Sequence, residues 1–256
     1  MPHQTALDTT RNELLDMSLD LGKPENRLVI LGEGNTSAQV DEKTFLVKAS
    51  GSQLSNLRPE QLVQVRFDNI LPILDQNLYD DETEQVLLES RVDPEQSKPS
   101  VETTFHAWLL SQDGVNFVGH THPVEVNKIL CSDKAHLFAN HRMFPDEIVC
   151  TGPKSLLIDY VDPGTILATT IRDGWQQFFA ANGYTPKVIL VKNHGFIAVG
   201  ASKESVLIAT EMAVKAAEIF NGAMANGKAV FMSDDDVLRI ASRQDEKYRQ
   251  KQLNIS

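Results

Sequence analysis

Two apolar runs, Lys187–Lys192 (KVILVK) and Phe196–Val199, are joined across only three residues, Asn193-His194-Gly195. Both are rich in strand-forming residues, and so short a link predicts a hairpin. A second hairpin is predicted where Ser37–Val40 and Thr44–Lys48 flank Asp41-Glu42-Lys43. Hairpins pair antiparallel strands, whereas a parallel pair needs a crossover of about a dozen residues or more. Helical patterns fall between the strands at irregular intervals. A mixed or antiparallel sheet covered by helices is therefore expected, rather than a doubly wound parallel one.

The remaining elements follow from periodicity and caps. Ala6–Asp20 reads as an amphipathic helix with Leu7, Leu14, Leu15 and Leu19 on a shared face. Arg27–Leu31 reads as a strand leading into the turn Gly32-Glu33-Gly34-Asn35, and Arg58–Gln64 as a short helix. Ser100 is a candidate N-cap for a helix running to Leu109. There Val101, Phe105, Trp108 and Leu109 form an apolar stripe and leave Glu102 and His106 stacked on another face. Val115–His122 reads as a strand ended by Pro123, and Lys203–Phe220 as a long helix burying Val206, Ala209, Ala213, Ala217 and Phe220. The tail opens on Ser233-Asp234-Asp235-Asp236, which suits a helix N-terminus; its charge favours a solvated helix, with a subunit contact as the alternative. No linker or repeat divides the chain. One domain over residues 1–256 is expected, with 223–256 a charged helical tail.

Composition removes several function classes. With 256 residues and 41% apolar residues, a core needs no staples, and two cysteines cannot make a disulfide framework. A lone Cys131–Cys150 bridge stays open. No basic leader or long apolar run opens the sequence, so a cytoplasmic chain without a membrane span is expected. A net charge of −11 without a Lys/Arg block makes nucleic acid an unexpected partner. A small anionic substrate stays admissible, because backbone amides and a metal supply local positive potential.

His120-Thr121-His122 is the sharpest chemical signal. Residues i and i+2 of a strand face the same way, so both imidazoles can reach one ion. His194, in a turn between two strands, can aim a third imidazole into a cleft, and Glu102 lies in the first turn of a helix, which favours a carboxylate. Each residue alone has an ordinary explanation: a polar strand end, a turn histidine, a helix-terminal charge. Together, three nitrogens and a displaceable oxygen match a catalytic metal site. Three small hydroxyl-rich turns, Gly34-Asn35-Thr36-Ser37, Ala49-Ser50-Gly51-Ser52 and Lys98-Pro99-Ser100, can gather N–H groups around phosphate oxygens or can simply be turns.

The ordered set Gly34-Asn35-Thr36-Ser37, Ser50-Gly51, Pro99-Ser100-Val101-Glu102, His120-Thr121-His122-Pro123 and Asn193-His194-Gly195 resembles the class II aldolase/adducin family. The resemblance runs from about Ala6 to Phe220. Phe144-Pro145-Asp146-Glu147 and Tyr160-Val161-Asp162-Pro163-Gly164 are most similar to rhamnulose-1-phosphate aldolase-like modules that can precede a short-chain dehydrogenase; no dehydrogenase segment is read here. The resemblance implies a three-layer α/β/α domain with a central, largely antiparallel sheet, and a homotetramer with active sites at subunit interfaces. It implies metal binding, with zinc the expected ion, by His120, His122 and His194. Glu102 is the implied acid/base and a possible further metal contact. Asn35, Ser50, Gly51 and Ser100 match phosphate-binding positions. Val101 departs from the pattern of the fuculose phosphate aldolase-like members, which carry a serine there. A valine side chain cannot donate to phosphate. The proton-donor tyrosine of those members has no clear counterpart; His141 and Tyr160 are the candidates.

The expected activity is a metal-dependent aldolase, cleaving a ketose or ketose phosphate through a metal-bound enediolate, with Glu102 exchanging the proton on carbon. An epimerase, dehydratase or decarboxylase could use the same site. A non-catalytic, adducin-like binding module is the alternative of another class. A Schiff-base route through Lys48 or Lys192 is weaker than metal activation, given the histidines.

Overall fold

The computed structural model describes residues 2–76 and 80–252. In chain order its helices are α1 (Pro2–Leu21), α2 (Phe67–Ile70), α3 (Asp80–Glu89), α4 (Thr103–Leu110), α5 (Val124–Leu130), α6 (Ala135–Asn140), α7 (Pro145–Thr151), α8 (Thr165–Asn182), α9 (Lys203–Asn226), α10 (Asp234–Ser242) and α11 (Gln244–Gln252). The strands are β1 (Asn35–Gln39), β2 (Thr44–Lys48), β3 (Leu62–Arg66), β4 (Phe117–Thr121), β5 (Leu156–Ile158), β6 (Val188–Val191) and β7 (Gly195–Gly200). They form one mixed sheet in the order β3-β2-β1-β4-β7-β6-β5, an α/β fold as the sequence predicts. Among the described residues no helix is long and apolar enough to cross a membrane. The backbone falls into two compact units, Met1–Thr121 with Val161–Asp173, and His122–Tyr160 with Gly174–Ser256.

In the first unit, β1 pairs antiparallel with both β2 and β4, and β2 with β3. The β1–β2 hairpin forms as predicted because Asp41 Oδ1 accepts from the amides of Lys43 and Thr44 and so closes the turn. Phe45, Leu46 and Val47 of β2 are buried, with the Phe45 ring 4.7 Å from that of Phe67. The face of α1 that packs is Leu14, Met17, Ser18 and Leu21 rather than the predicted leucine set; Leu7, Leu15 and Leu19 are only half-buried. The reason is polar. The Ser18 hydroxyl bonds Thr36 Oγ1 at 2.6 Å, which turns that edge of the helix towards β1.

Two predicted elements in this unit are replaced. Arg27–Leu31 is a loop, because Arg27 and Leu31 adopt left-handed backbone with φ of 52° and 51°, which a strand cannot contain. Its apolar residues Ile30 and Leu31 are exposed. Arg58–Gln64 divides into a 3-10 turn at Pro59–Gln61 and then β3, where pairing with β2 overrides the helical pattern. The helix expected from Ser100 begins later, at Thr103, and α4 is buried on every side; His106 is inside and Val101 outside. Its stripe is thus a fully enclosed helix, not an amphipathic one.

In the second unit, β6 and β7 form the predicted hairpin, and β5 lies parallel to β6 after the crossover through α8. Val206, Ala209, Ala213, Ala217 and Phe220 are buried along α9, which extends past the predicted end to Asn226; Phe220 stacks edge-on to Phe138 at 5.6 Å. Both cysteines are free thiols, Cys131 exposed and Cys150 buried. Arg142 is wholly buried, donating to the carbonyls of Phe138, Ala139, His141 and Gly152 and to Ser155 Oγ. Burial lowers its pKa and raises that of Glu147, its ion-pair partner at 4.0 Å. The tail departs from the solvated-helix expectation at α10. Ser233 caps it as predicted, but Val237 and Ile240 pack on Ile148 and Val149. Residues 253–256 of that tail lie outside the described residues.

Candidate metal and acid–base site

The site in the first unit is built on register. Asn35, at the start of β1, lies directly opposite His120 on β4, and Ser37 is two residues on, facing the same side. Gly34 makes this start possible: its φ is +69°, and a Cβ there would come within 2.6 Å of the His120 carbonyl oxygen. Glu102, at the N-cap of α4, projects a carboxylate that is 7% exposed. Its Oε2 accepts from Asn35 Nδ2 at 2.6 Å and lies 3.5 Å from His120 Nε2. The latter is ion-pair distance rather than a good hydrogen bond. Ser100 Oγ accepts from Asn35 Nδ2 and from the Glu102 amide, each at 3.3 Å. The turns carrying Ser50 and Ser100 are tied by the Ser50 amide on the Lys98 carbonyl and the Ser100 amide on the Lys48 carbonyl. Gly51 is exposed with φ of +75°.

Lys48 is buried behind these turns, its ammonium donating to Ser52 O at 2.6 Å and to Gly32 O at 3.4 Å. Burial lowers its pKa from 10.5 to about 8, against the charge of Glu102, which raises it. Between those values the unfolded chain holds a proton that the folded one has released, so stability rises with pH from about 8 to 10.5. Urea unfolding midpoints at pH 8 to 10 are expected to rise less in Lys48→Met than in the parent chain.

In the second unit, His194 lies in the β6–β7 turn. Asn193 adopts φ of 55°, a conformation asparagine tolerates well. The turn is anchored twice: the Asn193 amide donates to Leu130 O, and Asn127 Nδ2 donates to His194 O at 3.0 Å. The His194 ring meets that of His122 edge-on, with centroids 5.2 Å apart. His122 falls one residue beyond the end of β4 rather than inside the predicted strand. Among the described residues, His120, His122 and His194 each offer a ligand nitrogen, all within 4.8 Å of one another. Three imidazoles with a carboxylate beside one of them form a donor set that suits a catalytic divalent ion. His141 stacks on Phe231 at 4.8 Å, and Tyr160 is exposed. The sequence reading gave no role to His106, although Glu102 and His106 are spaced i, i+4 and Asn35 and Ser37 i, i+2.

A model of the class II aldolase and adducin N-terminal domain matches residues 12–220. The chain belongs to this family. The uncharacterized oxidoreductase YuxG of Bacillus subtilis (strain 168) is 28% identical over 209 residues, covering 78% of this chain. The match spans 28% of that protein's length. The N-terminal class II aldolase domain of a conserved protein from Thermoplasma acidophilum superposes with a TM-score of 0.65 at 24% identity, covering 82% of this chain and 92% of that one. An L-fuculose 1-phosphate aldolase gives 0.69 at 17% identity, covering 94% and 96%. YgbL from Escherichia coli, described as a putative aldolase/epimerase/decarboxylase, gives 0.69 at 17%, covering 92% and 99%. Similarity at these identities establishes the fold; the family places the chain among class II aldolase relatives.

Proposed function

We propose that this chain is a metal-dependent aldolase, a carbon–carbon lyase acting on a sugar or sugar phosphate. The observation that carries the reading is the Glu102 carboxylate, buried, held by Asn35 and 3.5 Å from His120 of the histidine set. His120, His122 and His194 would hold a divalent ion, with zinc the first candidate and Glu102 a possible further contact. When bound, the ion supplies Lewis-acid polarisation of a carbonyl oxygen. Glu102 then moves the proton on the adjacent carbon, and its burial excludes competing water. Asn35, Ser50, Gly51 and Ser100 are proposed to receive the substrate's terminal oxygens. Val101, 47% exposed beside them, presents methyl groups to that end of the substrate. His141 and Tyr160 remain the proposed donors to the leaving oxygen. The same reading takes the protein as a cytoplasmic homotetramer, and light scattering tests the tetramer.

Product analysis of the metal-loaded protein with candidate ketoses and ketose phosphates tests the chemistry. Two carbonyl fragments are expected. An isomer, loss of water or release of carbon dioxide would instead assign epimerase, dehydratase or decarboxylase chemistry. No turnover together with less than about a tenth of an equivalent of metal would favour a non-catalytic module.

A further inference from the structure

We infer that His106 is a positioning residue for the Glu102 carboxylate, acting through the side-chain amide of Asn35. The inference rests on the proposed proton-transfer role of Glu102. Its basis is a chain of hydrogen bonds in which each atom has one role. The Asn35 amide nitrogen donates to Glu102 Oε2 at 2.6 Å. That fixes Asn35 Oδ1 on the opposite side, where it meets His106 Nε2 in a short contact. The carbonyl oxygen accepts, so His106 Nε2 carries the hydrogen. His106 Nδ1 is then bare and accepts from the Ser37 hydroxyl at 2.6 Å. The ring is fully buried and stacked on Phe105, with centroids 4.5 Å apart, so it is held in place. Burial also lowers its pKa well below the ordinary histidine range, in keeping with a neutral ring.

The consequence is directional. A flipped Asn35 amide would set its oxygen against the carboxylate and its NH2 against the Nε2–H, two mismatches at once. His106 thereby locks the amide in the orientation that donates to Glu102. A histidine serving only as core filling would need satisfied nitrogens, but not a donor that ends on the amide holding the acid/base. The Asn35 bond to Ser100, at 3.3 Å, is the weaker one and can yield to a substrate oxygen while the Glu102 bond persists.

The test uses the metal-loaded full chain. His106→Phe keeps ring volume and the stack but removes the donor. Its kcat is expected to fall about 100-fold, the scale of a small misplacement at the reacting centre, with KM within about twofold and metal content unchanged. In the Glu102→Gln background the same substitution should change the residual rate by less than about twofold, because both act on one group. Selective 15N-histidine labelling should show that the ring whose signal is missing in His106→Phe is a neutral Nε2–H tautomer at pH 7. Should that variant not fold, Ser37→Ala assigns the signal through the shift of Nδ1.

A neutral Nδ1–H tautomer or an imidazolium assigned to His106 at pH 7, or an equal loss of rate in both backgrounds, overturns the inference. A normal kcat in His106→Phe while Glu102→Gln is inactive overturns it alone and leaves the proposed function standing. Normal turnover in Glu102→Gln removes the proposed proton-transfer role, and the positioning role falls with it.

Discussion

Alanine at position 122 is expected to strip the chain of metal and of turnover together. His122 is two residues from His120 along the chain, and its ring centroid is 5.2 Å from that of His194. Removing it leaves two imidazoles, fewer than the three protein ligands that hold a catalytic ion. Loss of an outer-shell partner alone costs about 10–100-fold in metal affinity or activity, so loss of a ligand should exceed about 100-fold. Metal analysis after dialysis, in parallel with turnover, measures both. The cavity left by an imidazole half-exposed at a strand end costs little stability, so the thermal midpoint should stay within a few degrees. Full metal occupancy in the variant would remove His122 from the ligand set, whatever happened to the rate.

Glu102→Gln separates chemistry from binding. Glutamine has nearly the same shape, and its amide oxygen can still accept from Asn35 Nδ2, so the packing of α4 against β1 is kept. It cannot take up a proton. Metal content should therefore stay close to that of the parent chain, while kcat falls by about 10²–10⁴-fold, the usual worth of a positioned acid–base group. A change in KM with kcat preserved would mean that Glu102 contributes uniform binding rather than proton transfer. Loss of most of the metal would make Glu102 principally a ligand. The pair of variants thus separates the proposed roles, the ion for His122 and the proton for Glu102, and neither result can be produced by unfolding if the melting transition is retained.

The contrast between these two residues also shows how far a one-dimensional reading reaches. His120 and His122 are neighbours in sequence, and the strand geometry that joins them is local. Glu102 and His106 are one helical turn apart, yet what links their side chains is Asn35, 71 residues before His106. No periodicity reports that pairing. It follows from the β1–β4 register, which sets Asn35 opposite His120, and from the burial of α4 on every side. The same distinction explains the errors in secondary structure. The LVIL run after Arg27 looks like a strand, but two left-handed residues bend it into an exposed loop. The segment after Pro59 looks helical, but β2 offers it a hydrogen-bonded edge, and pairing outweighs local propensity.

The charged tail is helical over α10 and α11, but the burial of one face of α10 was not legible, for a related reason. Val237 and Ile240 are three residues apart on α10 and could equally cover solvent-exposed or buried ground. Their burial against Ile148 and Val149 is decided by α7, an element almost ninety positions earlier in the sequence.

By itself the sequence determined the two hairpins, the long α9 helix, the α/β class and the candidate ligands, because each rests on local periodicity, turn chemistry or a short motif. Only the tertiary structure decided which face of α1 packs, that α4 is wholly enclosed, and that His106, Asn35 and Glu102 lie in one hydrogen-bonded chain. Those features depend on hydrogen bonds and burial between residues distant in sequence, where the free energy is set by which groups meet away from water.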